Sequence, residues 1–287
     1  MTEETGRPVL VCDAIAVDEV GIEAGVFGTY RLRSVYRRVF AREGDYLVPV
    51  AVEGEIVPHR NGQPVLRQEF FDQLAPEEIP AVETMSCALH LRNRRNIGVE
   101  TLDLHFKYDP RLLGEASPAG LLPGQIAESE VDPRTLVVEL VEPGTIEPLA
   151  LSRLATEMRN LGVRLAIDGF GTEPVTQETF DLLRPNVFKI DGARLLTLCR
   201  DAATARLFAL LVSSLRDRGS KLLVAGIEDS EQLRAALLAG ADLLLGDHLA
   251  PSAPVGTVFN EAPVSIAGVT ALEPNVVRFA HPTHKPR

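Results

Sequence analysis

Residues 163–168 read VRLAID and residues 187–191 read VFKID, two apolar runs that each end in an aspartate. A helical period precedes the first run, with apolar residues every three to four positions over 146–161. Gly162 follows that period directly, as a glycine that ends a helix does. The two runs predict strands over 163–167 and 186–190 in repeated strand–helix units. Such units imply a parallel sheet, because each parallel step needs a crossover.

Further strand-like runs lie on both sides of this stretch. Six of them share its apolar character: 34–40, 46–53, 101–106, 135–140, 221–225 and 241–245. Helical patterns occupy 76–95 and 233–237, and Gly219 and Gly240 follow helical patterns as Gly162 does. Eight strands are the number that closes a (β/α)₈ barrel, and an open doubly wound sheet is the alternative.

The chain contains no boundary rich in proline, glycine or serine, so we predict one barrel domain over 31–252. Residues 1–30 form a short N-terminal extension in this interpretation. Residues 253–287 lack clear periodicity and form a C-terminal extension whose end we expect to be mobile.

Composition excludes several classes of protein. Of 287 residues, 45% are hydrophobic and 24% charged, and the net charge is −11, which argues against a protein that coats nucleic acid or anionic membrane. No secretory signal and no apolar run of about 18 residues is present. The three cysteines, Cys12, Cys87 and Cys199, show neither disulfide nor zinc spacing. We expect a cytoplasmic protein.

Several acids fall at the ends of predicted strands: Glu53, Glu139, Asp168 and Asp191, with Lys189 beside the last. In a barrel these ends surround one mouth, where active sites lie. Converging carboxylates repel one another unless a divalent cation or a buried base offsets their charge. Any single acid has a simpler role, which is to cap the following helix.

These motifs resemble the EAL-domain phosphodiesterases of cyclic di-GMP. The segments VRLAIDGFGT (163–172) and VFKID (187–191) match that family's DDFGTG and KID motifs. VELVE (138–142) matches E-x-T-E, and VAGIE (224–228) matches A-E-G-V-E. EGE (53–55) stands in place of the E-A-L triplet itself, and the resemblance runs from about 34 to 251.

The resemblance implies a barrel whose first strand is antiparallel and a two-metal attack of water on a phosphodiester. It places Glu53, Glu139 and Asp168 at metal-ligating carboxylates and Lys189 at the lysine that orients the nucleophilic water. Glu142 matches the acid that braces the loop after the fifth strand, and Glu228 matches the second acid of A-E-G-V-E.

Other functional positions depart from the family pattern. Lys107 replaces the asparagine ligand after the third strand, and Gly169 and Ala225 replace carboxylates. Further departures are Val57 for a phosphate-facing arginine, Leu245 for the glutamine of Q-G, and Glu173-Pro174 for Gly-Tyr. A charged lysine has no lone pair with which to ligate a cation. We expect Lys107 to occupy the vacated metal position and to pair with Glu53, Glu139 or Asp168; a shifted, solvent-facing lysine is the alternative.

Losing several ligands together predicts a catalytically inactive protein that needs no cofactor, with Mg²⁺ or Mn²⁺ relevant only to residual activity. We interpret the chain as a regulatory protein-interaction module of bacterial cyclic di-GMP-related signalling. One alternative is a receptor that binds cyclic di-GMP without cutting it, in a pocket formed by Glu53, Lys107, Asp168 and Lys189. The other is a residual phosphodiesterase.

The predicted partner is another protein, and a homodimer is plausible from the resemblance; direct nucleic-acid binding and a membrane span are not expected. An arginine cluster near the first strand is either a partner surface or a solvated strand face. Its members are Arg31, Arg33, Arg37, Arg38 and Arg42.

Overall fold

Eight strands close a barrel in the computed structural model of the chain, which describes residues 14–99, 101–109, 121–169 and 176–271. The strands are β1 Ile15–Val17, β2 Glu23–Phe27, β3 Tyr30–Glu43, β4 Tyr46–Arg60, β5 Gln63–Pro64, β6 Asp103–Tyr108, β7 Leu136–Val141, β8 Arg164–Asp168, β9 Val187–Asp191, β10 Lys221–Ala225, β11 Leu243–Leu244, β12 Ala253–Pro254 and β13 Val264–Ser265. The helices are α1 Arg67–Phe71, α2 Ile79–Arg92, α3 Leu121–Glu128, α4 Pro148–Leu161, α5 Gln177–Leu183, α6 Gly192–Cys199, α7 Ala202–Asp217, α8 Ser230–Leu238 and α9 Ile266–Ala271.

Around the barrel the order is β3, β4, β6, β7, β8, β9, β10 and β11, and β11 pairs again with β3. Neighbours are parallel except at β3, which is antiparallel to both β4 and β11. The closed barrel and its antiparallel first strand confirm the predicted fold, and the alternative of an open sheet is wrong.

Short apolar side chains fill the barrel interior below its mouth. They come from seven strands or strand ends and form one buried cluster: Val39, Ala51, Val137, Ala166, Val187, Leu223, Leu243 and Leu245. A larger cluster lies between the strands and the surrounding helices. Helix α4 shows how the sequence sets these helices. The Glu147 side chain accepts from the Ala150 amide at its start, and Gly162 ends it at a φ of 86°.

Strands β3 and β4 are longer than predicted. They pair over residues 30–43 and 46–60, so that their distal parts extend beyond the barrel mouth. The β1–β2 hairpin, within the predicted N-terminal extension, joins β3 and continues this sheet. A third apolar cluster, which includes Leu32, Ile56 and Phe70, packs the sheet against α1 and α2.

The segment after 252 is more ordered than its lack of periodicity suggested. β12 pairs with β3, β13 pairs with β4, and α9 follows. Two-residue strands are too short to show an alternating pattern, which is why the sequence did not predict them. The predicted mobile end, 272–287, lies outside the described residues. No described helix has the length and apolar character needed to cross a membrane.

Candidate functional site

Lys189 joins two of the predicted acids inside the barrel mouth. Its Nζ lies 2.5 Å from Glu53 Oε2 and 2.8 Å from Glu139 Oε2, and all three side chains are buried. The strands β4, β7 and β9 supply them from separate sides of the barrel. On its own strand, each of the three residues follows a residue of the apolar layer by two positions: Ala51, Val137 or Val187. Side chains two positions apart on a strand share one face, so all three point into the barrel interior.

His105 completes the contacts of Glu139. Its Nδ1 lies 3.0 Å from Glu139 Oε1, and the imidazole is buried. Each Glu139 oxygen therefore has its own partner, the lysine on one side and the histidine on the other. The sequence motif contained His105, but we assigned it no role. The period-two spacing to Lys107 on β6 was the available signal, because it puts both side chains on one face of the strand.

The charged groups of this cluster shift the pKa values of their neighbours in different directions. Burial raises the pKa of Glu139, but the Lys189 charge and the His105 hydrogen bond outweigh it and bring the pKa well below its usual value. For Glu53, burial and repulsion from Glu139 together raise the pKa despite the nearby lysines. Burial opposes the charge on Lys189, yet the two glutamates raise its pKa well above normal. Lys189 therefore stays charged.

Lys107 forms a second ion pair at the same mouth. Its Nζ lies 2.9 Å from Asp168 Oδ2, and its side chain is 41% exposed. Burial and the Lys189 charge lower the pKa of Lys107, but attraction to Asp168 and Glu53 prevails and the net shift is upward. Of the three acids that we considered as partners, Lys107 pairs with Asp168.

The positions that depart from the family pattern lie around these pairs. Gly169 follows Asp168 with a φ of 73°, and its amide donates to Asp168 Oδ1 at 2.8 Å. Ala225 ends β10 beside Asp191 of β9. Leu245 is buried in the apolar layer below the mouth. Val57 is half-buried on the distal part of β4. The segment with Glu173-Pro174 lies outside the described residues.

The remaining predicted residues lie apart from the ion pairs. Asp191 caps α6 by accepting from the amides of Ala193 and Arg194, which is the simpler role of a strand-end acid. Glu228 is exposed beyond the end of β10. Glu142 has a left-handed backbone before the turn Pro143–Thr145. Residues 170–175 of the loop that it was predicted to brace lie outside the described residues.

A family model and a curated relative each match part of this chain. The family model of the EAL domain matches residues 59–252 of this chain. The probable cyclic di-GMP phosphodiesterase PdeD of Escherichia coli (strain K12) is 28% identical over 120 residues, which are 42% of this chain and 22% of PdeD. The chain therefore matches about a fifth of the length of that relative.

Solved structures share the fold. BlrP1 of Klebsiella pneumoniae, in a complex with calcium and cyclic di-GMP, superposes with a TM-score of 0.67 at 19% identity; the match covers 82% of this chain and 59% of that one. The Bacillus subtilis YkuI protein, with cyclic di-GMP and calcium, gives 0.66 at 20% identity and 80% and 57% coverage. The PaMucR phosphodiesterase complex with cyclic di-GMP gives 0.67 at 18% identity, covering 79% and 92%.

Proposed function

The chain belongs to the EAL-domain family, and we propose that it is a non-hydrolysing member that regulates a partner protein in bacterial cyclic di-GMP-related signalling. One observation carries the proposal. Each of the three acids that the resemblance assigns to metal binding has a lysine ammonium within hydrogen-bond distance, Lys189 at Glu53 and Glu139 and Lys107 at Asp168.

The donor set does not fit a two-metal centre. Each divalent ion needs several oxygen ligands around it, and Gly169 and Ala225 supply none from their side chains. Lys107 adds a positive charge where the family has a neutral ligand. In the described ranges, no group of three or more His, Cys, Asp and Glu side chains is arranged to hold a metal ion. The charge balance therefore supports a site in which Lys107 and Lys189, and not metal ions, offset the negative charge of the acids.

A receptor for cyclic di-GMP is the second candidate. Val57 replaces the phosphate-facing arginine, but Arg33 is its direct cross-strand neighbour on β3. Cross-strand neighbours share one face of a sheet, so a guanidinium remains available beside position 57. An arginine can hold a phosphate through two parallel hydrogen bonds without any metal.

A homodimer also belongs to the proposal. Leu207 and Leu210 lie three residues apart on the outer face of α7 and are each 68% exposed, so they form an apolar pair that a second copy of the chain would cover. Sedimentation of the wild type and of a Leu207→Glu, Leu210→Glu variant tests this part. We expect the wild type to sediment as a dimer and the variant as a monomer. A wild type that is monomeric at all concentrations tested would disprove the homodimer part of the proposal.

Titration of the purified chain with cyclic di-GMP, with and without Mg²⁺ or Mn²⁺, together with a hydrolysis assay, tests the main proposal. We expect no metal-dependent turnover to the linear dinucleotide. Turnover would disprove the proposal. Tight, metal-independent binding without turnover would favour the receptor, whereas no binding would favour regulation through protein contacts alone.

A further inference from the structure

The distal parts of β3 and β4 form a basic sheet face that begins at the barrel mouth. Along β4 the interior positions Ala51 and Glu53 continue in steps of two to Glu55, Val57 and His59. Arg33 pairs with Val57 of β4 on one side and with Ala24 of β2 on the other. Arg31 pairs with His59 of β4 and with Val26 of β2. We call this face the arginine wall, defined by Arg31, Arg33, Val57, His59, Ala24 and Val26.

Arg31 and Arg33 carry the permanent positive charge of the wall. Both are exposed, and neither forms an ion pair or a side-chain hydrogen bond with the part of the chain that the structure describes. Nearby arginines are engaged. Arg37 lies 3.2 Å from Asp247 and 3.7 Å from Glu55, and Arg38 donates to the Asn260 carbonyl. Although the net charge of the chain is −11, two exposed guanidiniums on one sheet face attract an anion locally.

Contacts with α2 and the residues that follow it hold β2, one of the three strands of the wall. Asn93, at the end of α2, accepts from the Glu23 amide at 2.9 Å and donates to the Glu23 carbonyl at 2.8 Å. The buried Glu23 carboxylate also pairs with Arg92 and Arg95. At Gly25, an added Cβ would lie 2.4 Å from Met85 Sδ, so β2 packs closely on α2. The backbone next to the two arginines is therefore ordered before binding, and the entropy cost of ordering falls mainly on the arginine side chains.

We propose that the arginine wall binds an extended acidic segment of a partner protein, with carboxylates on alternate residues facing Arg31 and Arg33. The two arginines lie two residues apart on one strand, about 6.8 Å along it. An extended segment repeats its side chains with the same spacing, so two carboxylates of an acid-x-acid sequence face the two guanidiniums together. Arginine pairs with carboxylate through two hydrogen bonds, and Val26 and Val57 add apolar contact.

This inference rests on the proposed role in protein interaction, and a defined probe tests it on the full chain. The probe is a fluorescein-labelled twelve-residue peptide of alternating Glu and Ser, with binding measured by anisotropy at low salt. A Gln-Ser peptide controls for charge. A peptide of three Glu-Glu-Ser-Ser repeats controls for spacing, because it has the same six Glu but no two of them are two residues apart. We expect the alternating acidic peptide to bind at least about threefold more tightly than this Glu-Glu-Ser-Ser peptide, and the Gln peptide not to bind.

Matched variants locate the contact. Arg31→Glu with Arg33→Glu is expected to weaken binding of the alternating peptide at least about fivefold. Arg42→Glu with Arg153→Glu, at two exposed positions outside the wall, reverses the same number of charges and is expected to change binding less than twofold. Thermal unfolding of each variant verifies that it is folded.

Three results would overturn the inference: no binding of the alternating peptide, equal weakening by the control variant Arg42→Glu with Arg153→Glu, or equal binding of the two acidic peptides. Displacement of the peptide from the wild type by cyclic di-GMP, with direct binding of cyclic di-GMP lost in the double variant, would assign the wall to a phosphodiester and would also overturn the inference. Turnover of cyclic di-GMP by the wild type, measured in parallel, would refute the proposed function without affecting the peptide result. The two failures are therefore distinguishable.

Discussion

Lys107 Nζ lies 2.9 Å from Asp168 Oδ2, although the strands that carry them, β6 and β8, are separated by β7. The pair spans the barrel mouth beside the buried cluster of Lys189, Glu53 and Glu139. Together the two lysines offset most of the negative charge of three acids. The mouth is therefore stabilised by the chain's own cations, and the consequences are measurable.

Removing the buried cation should be costly. In a Lys189→Met variant, Glu53 and Glu139 remain buried without their ammonium, and we expect the free energy of unfolding to fall by about 3–5 kcal/mol. Urea unfolding measures the loss. Lys107→Met is the matched control, because that ion pair is partly exposed and should contribute about 1 kcal/mol or less. Similar losses in the two variants would contradict the assigned difference between the buried and the exposed lysine.

Restoring the family's ligands should create metal affinity. Lys107→Asn, Gly169→Asp and Ala225→Glu together remove one positive charge and add two carboxylates at the mouth. We expect this triple variant to bind Mn²⁺ at least about tenfold more tightly than the wild type, as measured by electron paramagnetic resonance of the free ion. Position 169 has a φ of 73°, a conformation that aspartate accepts at modest cost.

A second triple variant with Lys107→Met in place of Asn separates charge from ligation. It removes the ammonium but supplies no oxygen at position 107, so its gain in affinity should be smaller. Manganese binding by the wild type that is as tight as in the restored variant would show that the lysines do not prevent metal binding.

The sequence predicted the barrel and the positions of its mouth residues, because apolar strands and the acids that follow them recur in a fixed order. It did not predict which acid each lysine contacts. That depends on strand register across the closed barrel: Lys189 and Glu53 are 136 positions apart, and a shift of one residue would point either side chain outward. The sequence did not predict residues 30–33 of β3 as strand. Their arginines alternate with buried residues, so that the segment resembles a cluster of surface charges.

Stability should decline as the pH falls below about 6.5, through His90. The imidazole is buried in α2, with Nδ1 3.1 Å from Ser34 Oγ, and burial, aided by the Arg67 charge, lowers its pKa to about 3. The folded chain therefore keeps His90 neutral, whereas the unfolded chain binds a proton at about 6.5. The stabilisation is complete above pH 6.5 and is lost towards pH 3, at up to about 1.4 kcal/mol per pH unit.

Urea unfolding between pH 7.5 and 5.5 measures this effect, with His90→Gln as the comparison. Glutamine does not titrate, so the difference in stability between wild type and variant should shrink as the pH falls. A difference that stays constant over this range would show that His90 accepts a proton in the folded state.

Replacing Gly54 by alanine would restore the middle letter of the family's E-A-L triplet, yet we expect it to destabilise the chain. An added Cβ would lie 2.8 Å from Nδ1 and 2.9 Å from Cγ of His90, a buried ring whose Nδ1 also lies 3.1 Å from Ser34 Oγ. Such overpacking costs about 1–3 kcal/mol. Gly124→Ala is the control. In the part of the chain that the structure describes, nothing lies within 4 Å of a Cβ there, and alanine in α3 should stabilise by up to about 1 kcal/mol.

The contact with His90 can be isolated by a double-mutant cycle. His90→Ser removes the ring, so Gly54→Ala should cost at least about 1 kcal/mol less in that background than in the wild type. Urea unfolding of the four proteins gives the coupling. Additive effects would mean that the alanine is disfavoured for another reason, and that His90 does not explain why this chain carries glycine in the triplet.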